Sequence, residues 1–348
     1  MRRLQDYDYD LPRDRIAQAP AARRDASRLM VLDRAGGPPR HARFRDLPSL
    51  LRPGDLLVLN DSRVIPARLI GVRATGGRIS VLLVRPLGDD PAAGGPAWEV
   101  LAEHGGRLAG ETLAFEQVRG TMEAWEGTRG RMRFDGDPLG PRAGDARRAP
   151  LPPYIKRPKT GDTRRASDLR RYQTVYARAA GSIAAPTAGL HLTPALLDRL
   201  ARRGIRTASV TLHVGPGTFQ PVKADRVADH RMEAERYELG EAAARALREA
   251  KAEGRRVVAV GTTTSRALES AARGPGLVPH AAATDLFIRP PFDFRVVDAL
   301  VTNFHLPKST LLMLVSALAG RERVLAAYAE AVREGYRFYS YGDAMVIL

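Results

Sequence analysis

Three stretches of the sequence place a histidine among glycines, prolines and hydroxyl side chains, a combination suited to catalysis in a ligand pocket. They span 181–193, 211–219 and 302–310, and their histidines are His191, His213 and His305. A fourth histidine, His230, lies in a dense group of titratable residues that ends at Glu235. Because imidazole changes its charge near neutral pH, we expect at least one of these groups to act as a general acid or base. The alternative is that the histidines are structural residues of turns.

A second candidate site is the run Gly261-Thr262-Thr263-Thr264, which follows a short apolar segment at 257–260 and precedes a predicted helix. Free backbone amides at a helix start, together with hydroxyl groups, suit an anion or the hydroxyls of a ribose. The run matches neither the P-loop nor the dinucleotide-binding motif, because the required lysine and glycine spacings are missing. An ordinary capped turn is the alternative.

The elements that must position these residues alternate between strand and helix in most of the chain. This alternation predicts a largely parallel α/β domain over 1–62 and 151–348. Between them, 63–150 consists of short β-like runs separated by glycine and proline turns, which predicts an inserted small β-barrel or sandwich. The stretch 136–153, which runs from the end of this block into the second half of the α/β domain, is rich in Pro, Gly, Arg and Asp. It is expected to be an exposed linker.

Composition narrows the class of protein. The 348 residues include 55 Lys and Arg against 39 Asp and Glu, a formal net charge of +16, which favours a polyanionic partner unless it reflects an arginine-rich proteome. There are no cysteines, so disulfides and thiolate-ligated metals are excluded, and no histidine spacing matches a standard zinc motif. We expect no metal. No apolar stretch approaches the roughly 20 residues of a membrane span, and we expect a cytoplasmic protein.

Several longer strings can be assigned to a family. Residues 184–191, 213–219, 260–263 and 298–307 closely resemble the S-adenosylmethionine:tRNA ribosyltransferase-isomerase family of queuosine biosynthesis. Further similarity covers 6–12, 54–68, 172–176 and 336–345, so the resemblance spans nearly the whole chain outside the inserted block.

The resemblance implies both a fold and a reaction. The fold is a barrel-like α/β catalytic domain with an inserted β-barrel. The reaction transfers the ribosyl part of S-adenosylmethionine to 7-aminomethyl-7-deazaguanine at the tRNA wobble position, giving epoxyqueuosine with release of adenine and methionine. The implied partners are S-adenosylmethionine, consumed rather than held as a cofactor, and the tRNA anticodon stem-loop. We expect a monomer and no membrane association.

Under this resemblance the candidate residues acquire roles. His191 or His213 is expected nearest the sulfonium ribose, where a neutral base can remove an acidic C5′ hydrogen. Residues expected to bind S-adenosylmethionine are Thr187, Gly189, Gly215, Gly217, Thr218, Gly261, Thr262, Thr263, Thr264 and Asn303. Residues expected to bind tRNA are Lys156, Arg170, Arg171, Tyr172 and Arg266. Tyr172 could stack on a base, with core packing as the alternative.

Two positions depart from the family pattern. Glu233 stands where the family usually has a second histidine, and Pro291 stands where it tends to have glycine. These differences keep a second hypothesis open, in which the chain is a tRNA-binding or ribosyl-transferring paralogue that does not make epoxyqueuosine. A plain RNA-binding protein with structural histidines is a third.

Overall fold

The computed structural model describes residues 3–90, 95–102, 105–158, 162–219, 222 and 224–348, without the side chains of 89, 90, 106, 218 and 219. Strands in the first half of these ranges are β1 (Arg28–Leu32), β2 (Arg40–Arg43), β3 (Leu56–Asn60), β4 (Ser62–Val64), β5 (Arg68–Val72), β6 (Arg78–Asp90), β7 (Gly95–Ala102), β8 (Thr112–Phe115), β9 (Val118–Glu126), β10 (Arg129–Phe134) and β11 (Arg147–Arg148). Strands in the second half are β12 (Ala179–Ser182), β13 (Arg206–Leu212), β14 (Glu235–Leu239), β15 (Val257–Val260), β16 (His280–Thr284), β17 (Ala299–Asn303) and β18 (Ala344–Ile347).

The helices are α1 (Leu47–Leu50), α2 (Arg165–Arg171), α3 (Pro194–Arg202), α4 (Glu241–Ala252), α5 (Thr262–Arg273), α6 (Thr310–Ala319) and α7 (Arg321–Arg333). Local signals explain where they begin. Thr193 caps α3 by accepting a hydrogen bond from the Leu196 N–H at 3.1 Å, and Ser309 caps α6 in the same way at 3.2 Å. Among the described helices, none has the length and apolarity to cross a bilayer.

The larger sheet has the strand order β16-β14-β13-β3-β15-β17-β18-β1-β2 within the described residues. Its centre, β13-β3-β15-β17, is parallel, whereas β18 runs antiparallel to β17. Alternate residues of β3 face opposite layers: Leu56 and Val58 join one apolar cluster with α4 to α7, and Leu57 and Leu59 join another with α1 and α3. A central parallel sheet buried on both faces explains why its strands are continuously apolar.

The inserted strands form a closed barrel. Within the described residues the order is β5-β6-β7-β10-β9-β8, and a further pairing of β8 with β5 through Val72 and Ala114 closes the ring. This α/β fold with an inserted β-barrel confirms the predicted fold class. The domain boundaries at 63 and 150 stay a prediction, because strand positions alone do not fix where a folding unit begins.

The expectation of an exposed linker at 136–153 is wrong. Pro141–Ala146 forms a short 3-10 helix, and β11 pairs antiparallel with β5. Ala143 and Ala146 are buried in the barrel core, and Leu151 is buried nearby. Proline and glycine end regular structure in this segment, but the small apolar side chains between them still pack into the barrel core.

The carboxyl ends of the four central strands bring the histidine-bearing stretches together. They end at Leu212, Asn60, Val260 and Asn303, and β18 begins opposite Asn303, so the preceding loop reaches the same edge. Parallel sheets place ligand sites in the crevice beyond this edge. The candidate site is therefore sought at this edge of the sheet.

Candidate active site

Asn60, buried at the end of β3, joins three neighbouring segments through its side-chain amide. Its Nδ2 donates to the Leu212 carbonyl at 3.0 Å and to Thr263 Oγ1 at 3.2 Å. Its Oδ1 accepts from the backbone N–H groups of Ser62 and Leu212, each at 3.1 Å. Because this amide is fully used, Asn60 fixes the spacing of the strand ends and has no group left to react.

His191 lies in a buried chain of hydrogen bonds. Thr187 Oγ1 donates to Asn303 Oδ1 at 2.8 Å, which orients the amide so that Asn303 Nδ2 donates to His191 Nε2 at 3.3 Å. The proton of the imidazole is then on Nδ1, which lies 3.1 Å from Ser27 Oγ. The ring also stacks on Phe44, with centroids 4.8 Å apart. Burial lowers the pKa of His191 to about 4, so it is a neutral positioning group with both nitrogens occupied.

His305 is also held by its neighbours. Its Nε2 lies 2.8 Å from Thr302 Oγ1, and its backbone N–H donates to the Tyr328 hydroxyl at 3.1 Å. Burial lowers the pKa of His305 to about 3. The side chain is therefore neutral at physiological pH and borders a small cavity beside Asn303.

This small cavity has a volume of about 70 Å³. Its lining includes the predicted ligand residues Thr187, Gly261, Thr262, Thr263, Asn303 and His305. The cavity is well below the roughly 300–1,000 Å³ of typical small-molecule sites. It can serve as an alcove for one polar end of a larger ligand.

Thr264 does not belong to this wall. Its Oγ1 donates to the Val260 carbonyl at 2.7 Å, one turn earlier, and the residue is fully buried. This geometry does not favour the expected contact between the Thr264 hydroxyl and ligand. Gly261, in contrast, has φ of +94°, which only glycine adopts without strain, and this turn starts α5 at the cavity.

A much larger cavity, about 1070 Å³, lies between the barrel and the larger sheet. Barrel side chains on its wall are Val84, Arg85, Trp98 and Arg129. The opposite wall contains His213, Gly215, Gly217, His230, Glu233 and Glu235. Val214 borders both cavities, so they are neighbours. The volume is that of a typical small-molecule site.

His213 faces this large cavity directly after β13. Among the described residues neither ring nitrogen has a hydrogen-bond partner, and Nδ1 is shielded from solvent. Burial lowers the pKa of His213, an effect that the nearby Asp61 carboxylate opposes. Gly181 packs against the ring: a Cβ there would lie 3.1 Å from the imidazole, and φ is +138°. A neutral imidazole with unoccupied nitrogens beside a ligand-sized space is suited to act as a base.

The remaining predicted residues of this loop region lie nearby. His230 is half-buried, packs edge-on against Phe287 at 5.3 Å, and has a pKa lowered by burial. Gly215 and Gly217 border the large cavity, and a Cβ at Gly217 would lie 3.0 Å from Glu233 Oε2. The side chain of Thr218 lies outside the described residues.

Glu235 and Arg266 form a buried ion pair. Glu235 also accepts a hydrogen bond from the Gly215 N–H at 2.8 Å. Arg266 donates in addition to the carbonyls of Leu286 at 3.1 Å and Thr284 at 3.2 Å, and it is 3% exposed. The expectation that Arg266 contacts tRNA phosphate does not fit this placement, because no phosphate can reach its guanidinium. Glu235 holds the Gly215 loop in place.

Gly189 lies in the 3-10 helix Thr187–His191 and is not among the described residues that line the small or the large cavity. A Cβ at this position would lie 1.9 Å from Tyr176 Oη and 3.1 Å from Thr174. The glycine is therefore required by the close approach of Tyr176. This geometry does not favour the predicted direct contact between Gly189 and the ligand.

The predicted tRNA residues fall into two environments. Lys156 and Arg170 are exposed, whereas Arg171 is half-buried and donates to the carbonyls of Ala21 and Ala22 at 2.6 and 3.2 Å. Tyr172 is 1% exposed and meets Tyr341 edge-on at 6.0 Å. This environment favours the core-packing alternative for Tyr172 over base stacking.

Some residues of the site carried no clear sequence signal. Ser27, at the start of β1, reaches His191, although 164 residues separate them. Tyr339 accepts from Asn303 Nδ2 through its carbonyl at 3.3 Å. The string at 336–345 pointed to that loop, but nothing in the sequence pointed to Ser27.

Comparisons with known proteins bear on this arrangement. The family model described as "Queuosine biosynthesis protein" matches residues 4–347. A protein of Anaeromyxobacter dehalogenans (strain 2CP-C) is 53% identical over 350 residues, covering 99% of each chain. One of Pelobacter propionicus is 52% identical over 354 residues, again covering 99% of each. Both are named S-adenosylmethionine:tRNA ribosyltransferase-isomerase. The crystal structure of an S-adenosylmethionine tRNA ribosyltransferase from Thermotoga maritima aligns with a TM-score of 0.57 at 39% identity, covering 99% of this chain and 100% of that one.

Proposed function

The chain belongs to the queuosine biosynthesis protein family, and from this premise we propose that it transfers and isomerises the ribosyl group of S-adenosylmethionine onto tRNA. The acceptor is 7-aminomethyl-7-deazaguanine at the wobble position of the anticodon stem-loop, and the products are epoxyqueuosine in tRNA, adenine and methionine. S-adenosylmethionine is consumed as a substrate, so the proposal includes no bound cofactor. We expect the enzyme to act as a monomer in the cytoplasm.

The observation that carries the proposal is the position of His213 at the cavity of about 1070 Å³ between barrel and sheet. The sulfonium of S-adenosylmethionine acidifies the adjacent C5′ hydrogens, and a neutral base next to that carbon can start the reaction. Among the histidines of the described residues, His213 is the one with a solvent-shielded ring nitrogen, Nδ1, that has no hydrogen-bond partner. We therefore assign it the role of the base.

The small cavity supports a complementary role. Departure of adenine requires a proton or hydrogen bonds to its ring nitrogens, and binding requires groups for the ribose hydroxyls. Thr262 and Thr263 begin α5, and the Thr187–Asn303 pair faces them across the cavity. His191 acts behind this wall by fixing the Asn303 amide. We propose that one polar part of S-adenosylmethionine occupies this alcove while its sulfonium lies near His213.

The direct test incubates the protein with S-adenosylmethionine and tRNA carrying 7-aminomethyl-7-deazaguanine. Chromatography should detect adenine and methionine, and mass spectrometry should detect epoxyqueuosine in the digested tRNA. The matched control is the same tRNA with guanine at the wobble position, which should release no adenine. Binding of the modified tRNA without adenine release would refute the proposal and favour the non-catalytic RNA-binding hypothesis. Adenine release with a different nucleoside product would favour the paralogue.

A further inference from the structure

A third cavity, about 570 Å³, lies where the barrel meets the segment that returns to the larger sheet. Among the described residues, six cationic side chains line it: Arg68, Arg78, Arg148, Lys156, Arg157 and Arg165. The lining contains two carboxylates, Asp162 and Asp168. This groove is distinct from the two cavities of the candidate active site.

Part of this positive charge is already neutralised. Arg157 pairs with Asp168 through two hydrogen bonds of 2.6 and 2.9 Å, and Arg165 pairs with Asp145. The Asp168 carboxylate is buried, so this pair is a fixed part of the wall. The two pairs shape the groove, and Arg78, Arg148 and Lys156 belong to neither of them.

Three further cations form no ion pair. Arg148 donates to the backbone carbonyls of Asp145 and Arg147, and within the described ranges no carboxylate forms an ion pair with Arg78, Arg148 or Lys156. Burial lowers the pKa of Arg148 and the Arg165 guanidinium lowers it further, whereas the Asp162 and Asp145 carboxylates oppose the shift. Clustered cations that outnumber the nearby carboxylates attract a polyanion strongly at low salt.

The other side chains of the groove indicate which part of a polyanion fits. The described lining contains aliphatic residues and prolines, such as Ile70, Ile79, Leu151 and Pro152, and no aromatic ring. Surfaces that bind bases of single strands use aromatic rings for stacking, whereas backbone contacts need only cations and amides. The lining therefore suits a sugar–phosphate backbone.

The groove is also close to the candidate active site along the chain. Lys156 lies in the groove, and Tyr154, two residues earlier, borders the small cavity next to Thr187. Two residues span at most about 7 Å of extended chain. The Tyr154 hydroxyl lies 2.7 Å from Ser340 Oγ, which fixes the segment against the loop preceding β18. A ligand in the groove is thus held beside the reacting site.

We propose that this groove binds the sugar–phosphate backbone of the tRNA, with Arg78 and Arg148 of the barrel and Lys156 of the returning segment contacting phosphates. The inference rests on the proposed function and adds to it a binding surface that spans both parts of the chain. The barrel then serves to hold tRNA while the larger sheet holds S-adenosylmethionine.

The test compares the double variant Arg78→Ala, Lys156→Ala with the wild-type protein. Affinity for tRNA carrying the deazaguanine precursor is measured at several salt concentrations between 50 and 200 mM, conditions over which phosphate contacts dominate. Each lost contact should reduce the slope of log affinity against log salt concentration by about 0.7 to 0.9. It should also weaken tRNA binding by several-fold to about tenfold. Affinity for S-adenosylmethionine, measured by calorimetry, should not change.

The matched control is Arg203→Ala, which removes an exposed arginine at the end of α3, three residues before β13 begins and outside the lining of the groove. It should bind tRNA like the wild type. Equal affinities and salt dependences for the double variant and this control would overturn the proposal. Binding of inorganic phosphate at low millimolar concentration that leaves the tRNA affinity unchanged would also overturn it, because this result would indicate a small-anion site. Because binding is measured apart from adenine release, loss of RNA affinity supports the groove even if the wild type proves inactive.

Discussion

Arg129 Nη2 of the barrel donates to Glu233 Oε1 of the larger domain at 2.7 Å, across the edge of the large cavity. Arg129 also pairs with Glu99, which accepts from Arg85 Nε at 2.7 Å. A row of alternating charges therefore connects the barrel to the loop that carries His230. Glu233, one of the two positions expected from the sequence to depart from the family pattern, therefore has a specific structural partner.

We expect Glu233→Gln to loosen the position of the barrel without unfolding the protein. The two side chains are 34% and 40% exposed, and ion pairs of this kind contribute about 0 to 1 kcal/mol. The chain has no cysteines, so spin labels can be placed on Thr128→Cys and Ala252→Cys, both exposed. The distance distribution between the labels should broaden in the variant.

A matched control for that measurement is Glu123→Gln, which removes a carboxylate whose partners, Arg131 and Arg133, lie within the barrel. Its distance distribution should equal that of the parent. If Glu233→Gln also leaves the distribution unchanged, the Arg129–Glu233 pair does not set the orientation of the barrel.

Replacing His213 by asparagine should abolish most of the adenine release. General-base catalysis contributes about 10² to 10⁴ in rate, so kcat should fall by that factor, while S-adenosylmethionine binding persists. Because burial lowers the pKa of His213, the imidazole is neutral above a pKa that lies below the usual 6.5. In the wild type, kcat/KM should therefore rise with pH through the acidic range and level off near neutrality.

The control is His280→Asn, which changes a histidine of β16 that contacts the Tyr237 hydroxyl at 2.8 Å and borders neither active-site cavity. It should retain the wild-type rate. Wild-type activity in His213→Asn would remove His213 from the mechanism.

Local features of the fold were predictable because short-range chemistry decides them. Thr193 and Gly204 mark the limits of α3 in the sequence, and the structure has the Thr193 cap and φ of +75° at Gly204. The apolar run at 257–260 is β15, since a buried parallel strand needs no polar face. Such features depend on neighbours a few residues apart.

Burial and long-range pairing were not predictable in this way. A charged side chain such as Arg266 has the same sequence signature whether it faces solvent or a buried carboxylate, and Glu235, its partner, is 31 residues away. The contact of Ser27 with His191 depends on β1 lying beside β18, a pairing that no local pattern encodes. The candidate site was therefore located from the sequence, but the roles of its residues needed the packing.

The hydroxyl of Thr187 should contribute to S-adenosylmethionine binding by holding Asn303. Thr187→Val keeps the shape but removes the 2.8 Å hydrogen bond, leaving Asn303 Oδ1 without this donor. A net hydrogen bond is worth about 0.5 to 1.5 kcal/mol, so the KM for S-adenosylmethionine should rise several-fold to about tenfold. Thr187→Ser retains the hydroxyl and should stay near the wild-type KM. Equal KM values for the two variants would contradict this role.

Removing the carboxylate of Glu235 should destabilise the whole domain. Glu235→Ala leaves the Arg266 guanidinium buried and without its carboxylate partner, and breaking one side of a buried pair costs about 3 to 5 kcal/mol. Urea unfolding should show this loss. Glu235→Gln retains an oxygen for the Gly215 N–H and should lose less. Equal free energies of unfolding for the two variants would mean that the hydrogen bond to the Gly215 N–H adds nothing, and wild-type stability in both would mean that the charge of the pair does not matter.

Acid should destabilise the protein through its buried histidines. An unfolded histidine has a pKa near 6.5, whereas burial lowers the pKa of His191 to about 4 and that of His305 to about 3. Between pH 6.5 and about 4 the unfolded chain therefore binds protons that the folded chain does not. Stability must fall as the pH falls through this window, by up to about 1.4 kcal/mol per pH unit for each histidine.

Urea unfolding at pH 4.5, 5.5 and 6.5 measures this dependence. His305→Gln removes one of the two protons, so its free energy of unfolding should vary less with pH, by about 1.4 kcal/mol per unit at most, whatever its absolute stability. The same slope in both proteins would mean that His305 takes up its proton without unfolding, and that its hydrogen bond to Thr302 does not require the neutral ring.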